Sequence, residues 1–205
     1  MEILSFPMTP FITNCFVIRD EAEALVVDPG DVTPELIDAI AGYRVDTIVN
    51  THCHLDHCAG NARLIRRTGA KLLLHPDELP LLHAIPQQAM MFGVPADSSP
   101  EPDGFLQPGD RVTVGNTSFS VRLTPGHSPG HIVLVGDGVV IGGDVLFSGS
   151  IGRTDLPGGD YEQLLHSIQT QLLTLPDTTV VHCGHGPSTT IGIERRTNPF
   201  LAGLS

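Results

Sequence analysis

Four side chains able to bind a metal ion fall within six residues in the run Thr51-His52-Cys53-His54-Leu55-Asp56-His57. Imidazole and carboxylate donors suit zinc and other first-row metals, and such a set serves hydrolysis better than calcium binding, which needs many oxygens. A lone His or Asp is more often a surface residue or a satisfied core group. A His-x-His-x-Asp-His run at the end of a strand reads instead as a metal site. The apolar stretch from Val45 to Val49 leads in as a short buried strand. While the chain stays extended, His52, His54 and Asp56 share one parity and point to one side. His57 breaks that parity, which predicts a turn there and a helix from Ala59 that ends at Gly69. Cys53 has the opposite parity and is expected to pack behind the site.

Three further ligand candidates stand beside glycines at predicted strand ends. His127 lies in Thr124-Pro125-Gly126-His127-Ser128-Pro129-Gly130, where Pro and Gly fix a tight loop. Asp144 follows the apolar strand Val139-Val140-Ile141 and the pair Gly142-Gly143, which allows close backbone approach. His185 sits in Gly184-His185-Gly186-Pro187. His131 competes with His127 but starts the next strand and is read as structural. His75, His83 and His182 are read as structural or exposed.

The elements that must position these residues can be read from periodicity. Short apolar or β-branched runs at 2–7, 13–19 and 24–27 predict an antiparallel meander, and 34–43 predicts a helix with Thr33 as cap. Strands are predicted at 71–74, 111–114, 118–123, 139–141 and 179–183. An amphipathic helix is predicted at 161–174, capped by Asp160, with Leu164, Ile168 and Leu172 on one face. Between 75 and 102, six prolines predict an irregular excursion that supplies a pocket wall. Met90-Met91-Phe92 within it is read as packing that excursion onto the body, with an apolar lid as the alternative.

With 205 residues, one domain spanning 1–205 is expected. A formal net charge of -12 and a single lysine, Lys71, argue against a nucleic-acid partner. Four cysteines, at 15, 53, 58 and 183, form no Cys-x-x-Cys pair, which predicts reduced thiols and a cytoplasmic protein. No apolar run approaches the ~20 residues of a membrane span, so no membrane association is expected.

Taken together, His52-x-His54-x-Asp56-His57, His127, Asp144 and His185, in that order, resemble the metallo-β-lactamase superfamily. The resemblance implies an α/β fold, a four-layer αββα sandwich. It also implies two divalent cations per chain, zinc in the first place with iron or manganese as alternatives. By motif, His52, His54 and His127 would hold one ion, Asp56, His57 and His185 the other, and Asp144 would bridge them. The bridging Asp144 and the Asp56-His57 pair are unlike the true β-lactamases. Gly149-Ser150-Ile151-Gly152-Arg153-Thr154-Asp155 and Asn198-Pro199-Phe200 are similar to short members of the glyoxalase II group. That likeness implies a thioesterase for S-acylglutathione-like small molecules, without the helical C-terminal glutathione-binding domain of the longer enzymes. Asp56 and Asp144 would be the catalytic carboxylates, the ions supplying hydroxide at neutral pH. Arg153 is the expected substrate contact, gripping a carboxylate, or else the partner of Asp155 that orders the loop. The alternatives are a mononuclear iron dioxygenase acting on glutathione persulfide, which resembles the same first motif, and a metal-binding protein without turnover.

Overall fold

The alternation read in the first third of the chain becomes strand pairing in the computed structural model, which describes residues 1–8 and 10–203. Strands β1 (Glu2–Met8), β2 (Thr13–Asp20) and β3 (Glu23–Val27) pair antiparallel, as the meander predicted. Helix α1 (Pro34–Ile40) starts where the Thr33 hydroxyl accepts the Leu36 N–H and Pro34 occupies the first turn. It returns the chain to β4 (Arg44–Val49), which runs parallel to β3. The ligand run follows, then α2 (Leu55–Cys58), α3 (Asn61–Thr68), closed by Gly69 in the left-handed region, and β5 (Lys71–Leu74), parallel to β4. Helices α4 (Leu79–His83) and α5 (Ile85–Phe92) precede β6 (Gly104–Phe105), which completes a sheet of order β1-β2-β3-β4-β5-β6.

A second sheet of order β14-β13-β10-β9-β8-β7 uses β7 (Arg111–Val114), β8 (Thr117–Leu123), β9 (Ile132–Gly136), β10 (Val139–Gly143), β13 (Val180–Cys183) and β14 (Thr189–Thr190). The short hairpin of β11 (Leu146–Phe147) and β12 (Ser150–Ile151) and the helices α6 (Tyr161–Ser167) and α7 (Ile191–Thr197) belong with it in sequence. By contacts the chain divides into two compact units. The first is Met1–Leu106 with the hairpin tip Thr113–Ser118, and the second is Gln107–Val112 with Phe119 onward. Each has its own apolar core: Val17, Val26, Leu36, Ile48, Leu64 and Leu72 in the first, Val140, Leu146, Leu164, Ile168, Leu172 and Val181 in the second.

Three expectations need correction. The excursion from 75 to 102 is largely helical, because Pro76, Pro80 and Pro86 occupy the first turns of a 3-10 turn, α4 and α5, where proline starts a helix rather than breaking one. Met90 and Met91 do not pack inward; they are 83% and 79% exposed. The helix at 161–174 changes pitch after Ser167 into a π turn at Ile168–Leu172, where the Leu173 N–H donates to the Ile168 carbonyl at 2.9 Å. Ile168 and Leu172 are both wholly buried across this turn. Helix α7 was not foreseen: Gly192 in its first turn weakens the helical signal, yet a Cβ there would meet Asp177 at 2.7 Å. No helix among the described residues is long and apolar enough to cross a membrane.

Candidate metal centre

In the first unit the ligand run leaves β4 and meets the start of α2. The turn comes two residues earlier than parity predicted. His54 is the extended residue before the helix, while Asp56 and His57 both lie in the helical turn. Helix geometry, rather than strand alternation, therefore carries Asp56 to the same side. The His52 and His54 rings meet edge to face with centroids 4.9 Å apart, and the His52 and His57 centroids are 4.0 Å apart. His57 Nε2 is 3.5 Å from Asp56 Oδ2.

One buried carboxylate sets the tautomers of this group. Asp28, wholly buried at the end of β3, accepts the Thr51 N–H at 2.7 Å and the Thr51 hydroxyl at 2.6 Å. It also lies 3.1 Å from His57 Nδ1, so His57 donates through Nδ1. Because the one Thr51 hydroxyl proton goes to Asp28, the Thr51 oxygen accepts from His52 Nδ1 at 3.1 Å. Both imidazoles thus carry Nδ1 protons and present basic Nε2 atoms, the state a cation requires. The ligand atoms of Asp28, His52 and His57 lie within 4.8 Å of one another. Asp56 is oriented by the buried Thr13, whose hydroxyl donates to Asp56 Oδ2 at 2.5 Å.

The backbone of the run is gripped from the excursion. Glu78, wholly buried, accepts the Cys53 N–H at 2.7 Å. Gln88 on α5 accepts the Leu55 N–H at 2.9 Å and donates to the Cys53 carbonyl at 3.3 Å and the Leu81 carbonyl at 3.0 Å. Asp28, Thr13, Glu78 and Gln88 were all missed as site residues. Their partners are 25 to 43 positions away for Asp56, Cys53 and Leu55, and only the Asp28-Pro29-Gly30 turn at a strand end hinted at any of them. Cys53 and Cys58 are buried thiols pushed up by burial, and Cys53 packs behind the run as expected.

In the second unit His127, Asp144 and His185 converge. Asp144 Oδ2 is 3.5 Å from His127 Nε2 and 3.4 Å from His185 Nε2. His127 Nδ1 donates to the Arg153 carbonyl at 2.7 Å, leaving its Nε2 basic on the Asp144 side. His131 is structural, as read: its Nε2 accepts the Asp144 N–H at 3.0 Å and its Nδ1 meets the Thr124 hydroxyl at 3.0 Å. Gly184 lies so close to Asp144 that a Cβ there would stand 2.1 Å from Oδ1, so only glycine fits. The Arg153 side chain pairs bidentately with Asp155 at 2.6 and 2.7 Å. That guanidinium holds the Asp155 carboxyl down at about 2. The loop-ordering contact is therefore formed.

Two donors at ~2.0–2.1 Å from one tetrahedral ion stand roughly 3.4 Å apart. The Asp56–His57, Asp144–His127 and Asp144–His185 separations of 3.5, 3.5 and 3.4 Å match that spacing. The donor chemistry and tautomers fit divalent first-row cations.

Mixed sheets flanked by helices, with imidazole and carboxylate donors gathered at strand ends, define a metal-binding hydrolase of α/β architecture. The chain belongs to the metallo-β-lactamase superfamily, whose family profile matches residues 8–185. It is 40% identical over 208 residues, 98% of each chain, to the protein named hydroxyacylglutathione hydrolase GloC of Haemophilus influenzae. The solved structure of BLEG-1, described as a B3 metallo-β-lactamase, is 37% identical with a TM-score of 0.91, covering 98% of this chain and 100% of that one. The structure of TTHA1623 in a di-iron-bound form is 37% identical with a TM-score of 0.90, covering 97% and 100%. The fold is thus of the metallo-β-lactamase type that the ligand pattern implied.

Proposed function

We propose that this protein is a metal-dependent thioester hydrolase of the glyoxalase II type, acting on small S-acylglutathione-like molecules. The observation that carries the reading is the second unit's Asp144, placed at ion-sharing distance from both His127 and His185, on a chain that also keeps Asp56 beside His57. The metal roles implied by the family motif, with Asp144 as the bridge and His52, His54, Asp56, His57, His127 and His185 as the remaining ligands, are part of this reading. The GloC relative supports the choice of substrate class.

Bound divalent cations would supply Lewis acidity and acidify water at neutral pH. The chain's own contribution is to hold its imidazole donors in the right tautomer and orientation. Asp28 holds the His57 ring with its proton on Nδ1 and Nε2 free of that contact. The Arg153 carbonyl does the same for His127. Asp56, fixed by Thr13, is a carboxylate able to accept a proton close to the reacting centre. A thiol leaving group, with a pKa near ~8.5, departs as thiolate without a strong general acid, and this reading assigns none. The four cysteines are buried thiols, in keeping with a reducing, cytoplasmic setting.

The test is a panel of thioesters, oxygen esters and β-lactams offered to zinc-loaded and iron-loaded protein, with oxygen uptake recorded alongside hydrolysis. Thioester cleavage at least 100-fold above the other classes, without oxygen uptake, is expected. Preferential β-lactam cleavage, or oxygen uptake with a persulfide, would overturn the assignment.

A further inference from the structure

A second chemical feature of the first unit lies directly beside Asp56. A cavity of about 190 Å³ is walled by Phe11, Leu55, Ala59, Val94 and Pro95, with Asp56 on its lining. Its other charged groups are Asp31 and Arg63, and these two pair with each other. The cavity's cation, Arg63, is therefore committed to Asp31, and the cavity offers a carboxylate-bearing ligand no uncommitted cation of its own. A larger concavity of about 670 Å³ is bordered by Arg44 and Lys71, the first residues of β4 and β5. The ligand run lies beyond the opposite end of β4, so that concavity has no part in the site.

The apolar character continues outside the cavity. Phe11 meets Phe92 edge to face with centroids 5.3 Å apart, and Phe92 follows the exposed Met90 and Met91 on α5. This is the same helix whose Gln88 holds the Leu55 and Cys53 backbone. The excursion thus supplies both the support of the ligand run and the apolar wall next to it.

We propose that this cavity receives the acyl group of the substrate, and that the group is an uncharged aliphatic chain of about four to six carbons. The proposal rests on the thioesterase reading for the reaction, and on the cavity alone for the ligand class. A volume of 190 Å³ is roughly the liquid volume of six waters, enough for a short chain. The two carboxylates of a glutathione moiety find no uncommitted cation in this cavity, so that moiety would extend away from it. Each methylene buried is worth about a fourfold gain in kcat/KM.

The experiment uses zinc-loaded protein and acetyl, butanoyl, hexanoyl and decanoyl thioesters of glutathione and of N-acetylcysteamine. A rise in kcat/KM of about fourfold per methylene to hexanoyl, with no further gain at decanoyl, is expected for both thiols. Ala59→Leu and Val94→Phe, which fill the cavity, should each reduce the hexanoyl-to-acetyl ratio at least tenfold. A flat profile, a profile set by the thiol, or variants with the wild-type ratio would overturn the proposal. Should no thioester be cleaved, the reaction assignment falls and the cavity is still tested, by methyl NMR of the zinc-loaded protein titrated with 1-hexanol. Saturable shifts at Leu55, Ala59 and Val94 would uphold an aliphatic ligand site, and their absence would overturn it.

Discussion

Asp28 shows how much of this site depends on a residue that need not touch a metal at all. Its carboxylate collects the Thr51 N–H, the Thr51 hydroxyl and His57 Nδ1 at 2.6 to 3.1 Å, and so decides which nitrogen of two imidazoles is basic. Asp28 itself has a φ of 54°, an uncommon conformation for a non-glycine residue. That conformation aims the side chain back at the ligand run. Asp28→Asn keeps the shape but lets the side chain present an N–H donor where two donors already point. Cation affinity should fall about 10- to 100-fold, as measured by competition with a chromophoric chelator. Unchanged affinity would mean that the imidazoles are oriented by something else.

At the scale of elements, α5 is the part whose sequence was least transparent and whose structural task is most specific. Gln88 projects from it to replace the hydrogen bonds that an irregular loop cannot make for itself at Leu55 and Cys53. Replacing it by leucine should cost about 1–3 kcal/mol in urea unfolding, because the Leu55 N–H would be left buried without its acceptor. The Leu55 amide should also exchange faster in the native state; unchanged protection at Leu55 would assign Gln88 a purely surface role. In the second unit, Glu194 of α7 plays a comparable part. Wholly buried, it accepts the Gly149 N–H at 2.9 Å and the Asn198 amide at 2.8 Å, and Asn198 donates to the Ser150 carbonyl. The hairpin leading to Arg153 is thereby tied to the last helix.

For the whole molecule, metal loading and acidity are expected to set stability. Zinc-loaded protein should carry close to two ions per chain by elemental analysis, and chelation should lower Tm. At 100-fold over its Kd, each ion adds about 2.7 kcal/mol. A persistent stoichiometry of one would remove the bridging role of Asp144. Acid should act through His75 and His182 as well. Burial lowers the pKa of both, opposed at His75 by Asp77. A histidine with a lowered folded pKa binds fewer protons folded than unfolded, so its stabilising effect is complete above the unfolded value of ~6.5 and is lost as pH falls from there through the folded pKa. His182→Gln should therefore show a smaller loss of Tm between pH 7 and pH 5 than wild type. An equal loss in the two proteins would place the acid sensitivity elsewhere.

Much of this chain is legible without coordinates where the physics is local. Residues 71–74, 111–114 and the capped helix starts at Thr33 and Asp160 declare themselves by period and capping chemistry, which act over a few residues. The ligand run is legible for the same reason: four donors in six residues have few structural explanations. The amino-acid order also placed His127, Asp144 and His185 beside glycines, and Gly184 shows why, since any side chain there would collide with Asp144. Prolines at 76, 80 and 86 misled, because a proline that starts a helix and one that breaks a loop look alike until the following turn forms. What only the tertiary structure decided is which distant groups satisfy the site. Asp28 to His57, Thr13 to Asp56, Glu78 to Cys53 and Gln88 to Leu55 are pairings across 25 to 43 residues. No local rule selects them; they follow from burial, which leaves each polar atom only the partners that the fold brings near it.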